Sequence, residues 1–410
     1  MGRCIGLDVH RDFAQVAILE NGIMTDAGRV DCRSGPLRAW AGTLHADDEV
    51  ALEATGNTEA IVALIAPHVA RVVVSNPVKT RAIAEAKVKT DKVDARILAQ
   101  LLAADFLPPV WVADERTQMR RRLCARRAHL VRQRTRLKNQ VQAILNRNLA
   151  PRPPVSDLFG ARGRAWLARQ DLPTDEHHAI AALLRQLDFH GQELALVDRE
   201  LAADALPDAV VRRLMTVPGI DVTVALSIVA AVGDFGRFTS GDKLVAYFGL
   251  NPKVRQSGAQ PAAHGRITKA GRAHARGMIV EAAWVASRAP GPLRAFYQRI
   301  RARRGTQVAI VATARKMTAL CWQLIRKGED YAFARPSLVA FKRRKLELQA
   351  GLPRAHARRG AGYDYNNADL RRHERQIAEA SEHAYAVMVA HWQPQPAKTR
   401  APAGLPARRR

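Results

Sequence analysis

The chain has 410 residues, more than one hydrophobic core usually serves, so two or more domains are expected. Lys and Arg number 65 against 38 Asp and Glu, a net charge of +27. Such an excess repels itself unless a polyanion neutralises it, and nucleic acid is the favoured one because each neutralised phosphate releases counterions. No apolar stretch is expected to reach the roughly 18–20 residues that span a bilayer, so no membrane partner is expected. The N-terminus, "MGRCIGLDVH", enters a strand-like pattern without a signal-peptide core, which points to the cytoplasm. Cys4, Cys32, Cys124 and Cys321 lack ligand spacing, which argues for reduced thiols and against a zinc site.

Residues 3–31 read as a hairpin or meander. "CIGLDV" and "FAQVAIL" are strand-like, and "NG" at 21–22 signals a turn before another short run. "EVALEA" and "ARVVVSNP" make two further strands, with helix-like stretches over about 57–68, 78–87 and 91–104. Antiparallel strands followed by strands alternating with helices predict a mixed α/β sheet.

Four acids stand out in this stretch. Asp8 and Glu53 end strand-like runs, and Asp91 and Asp94 lie three apart at the start of a helix, on one face. Two strand-end acids with two helix acids suit a pair of Mg²⁺ ions about 4 Å apart, which could clamp the attacking and leaving oxygens of a phosphodiester. Each acid also has an ordinary role. Asp91 could cap a helix with Thr90, Asp94 could pair with Lys92 or Arg96, and Asp8 could close a turn.

From Asp114 to Asn148 there are eleven Lys and Arg, with Leu123, Leu130, Leu137 and Ile144 at seven-residue intervals and Val141 on the same stripe. This predicts a long helix with a narrow apolar seam, interrupted by Arg127 and Arg134 and broken by "PRPPVSD". More helix follows over about 176–204, so residues 112–209 read as a basic helical or coiled-coil arm. Its one-sided charge suits nucleic-acid phosphates, with Arg120, Arg121, Arg126 and Arg127 as the candidates. A solvated face is the alternative.

A mostly helical domain is expected over 210–330. "VPGI" leads into an apolar helix, the pattern of a helix-hairpin-helix turn that offers backbone N–H groups to a phosphate, or of an ordinary turn between core helices. After "YFGLNP", the polar "KVRQSGAQ" predicts an exposed loop. Ser257 lies there among Lys253, Arg255, Arg266 and Lys269, cations that favour an alkoxide and would hold a phosphate. A loop serine is otherwise a turn residue. Residues 331–410 read as a basic, largely disordered tail.

The four acids, in this order on this pattern, resemble an RNase H-like nuclease core. More closely, "IGLDVH", "ALEATG", "NPVKTRAIAEA" and "KTDKVDARILAQLL" are similar to the DEDD domain of the insertion-sequence transposase family numbered one hundred and ten, the bridge-RNA-guided recombinases. Residues 214–285 resemble that family's C-terminal transposase domain. "QSGA" stands where members often have two serines and two glycines, and "GRITKAG" where they often have "GGISKRG". The resemblance implies a RuvC-like domain over 1–111 with Asp8, Glu53, Asp91 and Asp94 as a Mg²⁺-binding tetrad. It implies Ser257 as a nucleophile giving a phosphoserine link to DNA, with donor and target DNA paired to a structured guide RNA, and a homo-oligomer acting on the bacterial nucleoid. Two other readings stay open: a metal-only RuvC-like structure-specific endonuclease, and a non-catalytic nucleic-acid-binding protein.

Overall fold

The computed structural model describes residues 2–84, 90–258, 261–353 and 367–391, and divides into two compact units, Met1–Asp114 and Glu115–Arg410.

The first unit is a five-stranded sheet in the order β3-β2-β1-β4-β5. Its strands are β1 (Cys4–Val9), β2 (Phe13–Glu20), β3 (Ile23–Asp31), β4 (Glu49–Glu53) and β5 (Arg71–Ser75). The meander β1-β2-β3 is antiparallel, and β4 and β5 add in parallel to the other edge of β1, so the sheet is mixed as the sequence predicts. Helices α1 (Ser34–Ala41), α2 (Thr58–Ile65), α3 (Pro77–Ile83) and α4 (Asp91–Ala103) complete the unit.

Strand alternation sorts the side chains to two faces. Ile5, Leu7, Val50 and Leu52 are buried in one core with Leu37 of α1 and Ile61 and Ile65 of α2. Gly6 and Ala51, which pair across β1 and β4, lie on the other face beneath α4. A Cβ at Gly6 would stand 2.0 Å from the Ala95 carbonyl oxygen. The helix therefore rests directly on the strand, and only glycine permits that approach.

The second unit is helical. Helix α5 (Glu115–Arg147) and helix α7 (Thr174–Ala205) run antiparallel, with α6 (Ala161–Leu167) between them in sequence. Arg116 pairs with Asp204, Arg127 with Asp198 and Arg147 with Glu176, so the partners descend as α5 ascends. The predicted seam is present: Leu123, Leu130, Leu137, Val141 and Ile144 are all buried. Leu123 and Leu130 join Leu194, Val197 and Leu201 in the main core of the second unit, whereas Val141 and Ile144 form a separate cluster with Leu158, Leu167 and Ile180. The helices read as an arm over 112–209 thus share a core with later residues, Leu123 and Leu130 lying in one cluster with Leu214, Ile220 and Leu226.

Beyond the arm come α8 (Ala209–Leu214), α9 (Val222–Val232), α10 (Gly241–Tyr247), the antiparallel ribbon β6 (Pro252–Arg255) and β7 (Ala263–Ile267), α11 (Ala273–Ala286) and α12 (Pro292–Lys327). Helix α12 breaks at Gly305, whose φ of 78° lies outside helical space. Helices α13 (Pro336–Gln349) and α14 (Ala368–His391) follow.

The structure adds to two expectations here. The region 331–410 is not simply a tail: α14 is fastened by Glu374 to the Ser337 amide and by Arg294 to Glu382. The remaining tail residues, 354–366 and 392–410, lie outside the described residues. Helix α12 is also long and apolar enough by composition to cross a membrane. Ala309, Ile310, Ala314, Met317 and Cys321 on it are nevertheless buried in the helical core, which accounts for their apolarity without a bilayer.

Candidate functional site

Three of the four acids meet through the packing just described. Asp8 is two residues beyond Gly6 on β1, and Glu53 is two beyond Ala51 on β4, so both acids face the side of the sheet on which α4 lies. Asp94 precedes Ala95, the residue that touches Gly6. Asp8, Glu53 and Asp94 accordingly line one cavity of about 340 Å³, together with Thr80 and Arg81 of α3.

The ordinary roles weighed for these acids are mostly taken by other groups. Thr90 itself caps α4, its hydroxyl accepting from the Val93 amide. Arg96 donates to Asp26 at 2.7 Å, not to Asp94. Burial raises the Asp8 carboxyl above the usual carboxylate range; His10 opposes that rise, while Asp94 and Asp91 add to it. Carboxylates crowded enough to destabilise each other's charge suit a divalent cation, which would relieve the repulsion. The donor set therefore fits such an ion.

Asp91 is set apart. It is not among the cavity's lining residues; its Oδ1 lies 3.4 Å from His10 Nε2 and its Oδ2 lies 3.7 Å from Arg29 Nη2. His10 Nε2 is also 3.3 Å from Asp8 Oδ2. Sequence reasoning did not single out His10. The signal was its place two residues past Asp8, where the turn from β1 to β2 brings it back over the strand end.

In the second unit Ser257 is exposed, just after β6, and Gly258 beside it has a φ of 56°. Lys253 and Arg255 on β6, Arg266 on β7 and Lys269 after it are exposed too. The base of this ribbon is clasped. A Cβ at Gly271 would meet the Tyr247 carbonyl oxygen at 2.1 Å, and one at Gly249 the Ala270 oxygen at 2.5 Å. Arg272 Nε donates to the Tyr247 hydroxyl, and Arg276 donates to the carbonyls of Phe248 and Lys269. The glycines of "YFGL" and "KAGR" are needed for these close approaches.

The four arginines assigned to nucleic acid are engaged within the chain. Arg120 is buried and donates to Asp204 at 2.5 Å and Asp208 at 2.6 Å. Arg121 donates to the carbonyls of Ala230 and Ala231 at the end of α9, where a helix has carbonyls to spare. Arg127 pairs with Asp198 and Arg126 with Glu193. Sequence alone could not show this, because the matching acids are 67 to 88 residues away. The exposed arginines of this helix with no ion pair among the described residues are Arg122, Arg132 and Arg136.

The "VPGI" turn is likewise internal. Gly219 lies against the Ala282 carbonyl of α11, and Asp221 caps α9 by accepting from the Val224 amide. Lys342 Nζ donates to the carbonyls of Met215, Val217 and Ile220 at 2.7–2.9 Å. A phosphate at that helix start would meet the Asp221 carboxylate, so the geometry favours the core-turn reading.

Comparison with known proteins agrees with both halves. Residues 211–298 match the family described as "Transposase IS116/IS110/IS902 family", and residues 5–149 match a DEDD-type family described as "Transposase". A Sinorhizobium fredii protein named as a transposase, y4qE, is 28% identical over 60% of this chain and 66% of its own length. A transposase for an insertion sequence element of Coxiella burnetii is 25% identical over 59% of this chain and 68% of its own. The pilin gene-inverting protein of Moraxella bovis is 26% identical over 70% and 82%. The chain thus spans about two thirds of the first of these relatives. With both family domains present in order, the chain belongs to the IS110 family of transposases.

Proposed function

We propose that this protein is a DNA recombinase that moves an insertion sequence, with an RNase H-like first unit and chemistry at Ser257. The observation that carries the reading is the convergence of Asp8, Glu53 and Asp94 on one cavity, in a chain whose residues 211–298 match the IS116/IS110/IS902 transposase family. The sheet order, a three-stranded meander extended by two parallel strands with a helix across β1, supports the RNase H-like assignment.

Ser257 Oγ attacks a phosphodiester: the P–Oγ bond forms as one P–O bond of the strand breaks, the serine proton is lost and the leaving oxygen takes one. Reversal by a different DNA hydroxyl rejoins the strand, so the bond energy is conserved and no nucleotide cofactor is required. Lys253, Arg255, Arg266 and Lys269 hold the phosphate and stabilise its developing charge. Asp8, Glu53 and Asp94 hold Mg²⁺, which supplies Lewis-acid stabilisation when bound. Donor and target DNA are the substrates, a structured guide RNA is the partner that selects them, and the working form is a homo-oligomer.

The test is a protease-sensitive protein–DNA adduct. Wild type should form it, Ser257→Ala should bind DNA without forming it, and Asp8→Ala should lose recombination with its fold intact. Wild-type recombination by Ser257→Ala would defeat the serine mechanism and leave the metals alone.

A further inference from the structure

The contacts of His10 are shared between two carboxylates and are long for charge-assisted hydrogen bonds. Its Nε2 lies 3.3 Å from Asp8 Oδ2 and 3.4 Å from Asp91 Oδ1, and the three atoms lie within 4.8 Å of one another. A single N–H cannot serve two carboxylates well. Charge-assisted hydrogen bonds are also shorter, about 2.7–2.9 Å. Separations near 3.3 Å are instead those of neighbouring ligands around one ion with bonds of about 2.1 Å.

The imidazole is also held in place. The His10 amide donates to the Phe13 carbonyl at 2.9 Å, and the His10 carbonyl accepts from Asn57 Nδ2 at 3.2 Å. Its ring packs on Phe13 with centroids 4.9 Å apart, and Arg29 covers that phenyl ring at 4.2 Å. Arg29 also reaches Asp91 from the side away from His10. His10 and the helix acid Asp91 are thereby oriented before any ion arrives.

We infer that His10 Nε2 is a nitrogen ligand of a divalent ion shared with Asp8 and Asp91, and that it biases the site toward a first-row transition ion such as Mn²⁺ over Mg²⁺. An all-oxygen tetrad would suit Mg²⁺, which is hard and gives up water reluctantly; an imidazole favours transition ions. This rests on the reading of the acids as a metal site, and it splits that site: Asp8 serves both the His10–Asp91 group and the cavity with Glu53 and Asp94.

The test uses the full chain without DNA. Mn²⁺ and Mg²⁺ affinities are measured by calorimetry for wild type, His10→Ala and His10→Gln, with circular dichroism to confirm folding. Pulsed electron paramagnetic resonance on bound Mn²⁺ reads nitrogen coupling in histidine-labelled protein. Wild type should show one coupled nitrogen, lost in both variants, and the Mn²⁺-to-Mg²⁺ affinity ratio should fall about tenfold or more. Bound Mn²⁺ with no nitrogen coupling, or an unchanged ratio in folded variants, overturns the role of His10 and leaves the acid site standing. A wild type that binds neither ion overturns both.

Discussion

Arg120 gives the sharpest separation between a structural and a nucleic-acid role for the basic helix. Its side chain is 5% exposed and bridges Asp204 and Asp208, themselves 14% and 11% exposed. Asp208 also caps α8 by accepting from the amides of Val210 and Val211. Arg120→Ala removes the buried cation between two nearly buried carboxylates and leaves them only the half-exposed Arg116. Breaking a buried pair from one side costs about 3–5 kcal/mol, because the remaining charge keeps its desolvation penalty. Arg126→Ala, in a pair whose arginine is 55% exposed, should cost at most about 1 kcal/mol. Urea unfolding followed by circular dichroism compares the two variants. The Asp208 pKa adds a pH signature. Burial raises it, but the Arg120 hydrogen bond and the Val211 and Val210 amides outweigh burial and leave it lowered. A lowered carboxylate contributes stability that is present above its unfolded value of about 3.9 and lost as pH falls through the folded value. The gap between wild type and Arg120→Ala should therefore be widest at neutral pH and close in acid. If Arg120→Ala unfolds no more readily than Arg126→Ala but flattens the salt dependence of DNA binding, the assignment of Arg120 to the fold is refuted.

The salt-dependent contact should instead belong to Arg122, Arg132 and Arg136: replacing all three with Gln should reduce the slope of log affinity against log salt by up to about 0.7–0.9 per lost phosphate contact, without lowering stability. An unchanged slope would place nucleic acid on another face. Gly271→Ala puts a Cβ 2.1 Å from the Tyr247 carbonyl oxygen at a φ of 125°, so hydrogen exchange in β6 and β7 should rise and adduct formation should fall; native protection would show that the clasp can yield. Lys342→Met leaves the carbonyls of Met215, Val217 and Ile220 without their donor and should cost about 2–4 kcal/mol in urea unfolding, whereas a neutral change would mean water replaces the ammonium. Cys124 and Cys321, whose thiols burial pushes up to about 11 and about 12, should resist alkylation in the native protein while Cys4 and Cys32 react.

The acids of the candidate metal site were legible because hydrophobic alternation, turn residues and a helix start fix where Asp8, Glu53, Asp91 and Asp94 fall along their elements. The seam of α5 was legible for the same reason: a seven-residue repeat is local information. What a sequence pattern cannot give is the partner across the fold. It marked Arg120, Arg121, Arg126 and Arg127 as a charged face, yet their carboxylates and carbonyls sit on α7, on α9 and at the Asp208 cap. The same limit hid Lys342 beneath the "VPGI" turn and the fastening of α14 by Glu374 and Glu382.

The sequence by itself determined the strands, the long basic helix, the acids at strand ends and helix start, and the excess of positive charge, since each follows from composition or short-range periodicity. Tertiary structure decided which acids share a cavity. Gly6 lets α4 rest on β1, and that contact carries Asp94 to Asp8 while turning Asp91 toward His10 and Arg29. It likewise decided which arginines remain available to a phosphate, because a guanidinium already neutralised by a buried carboxylate has no charge left to offer.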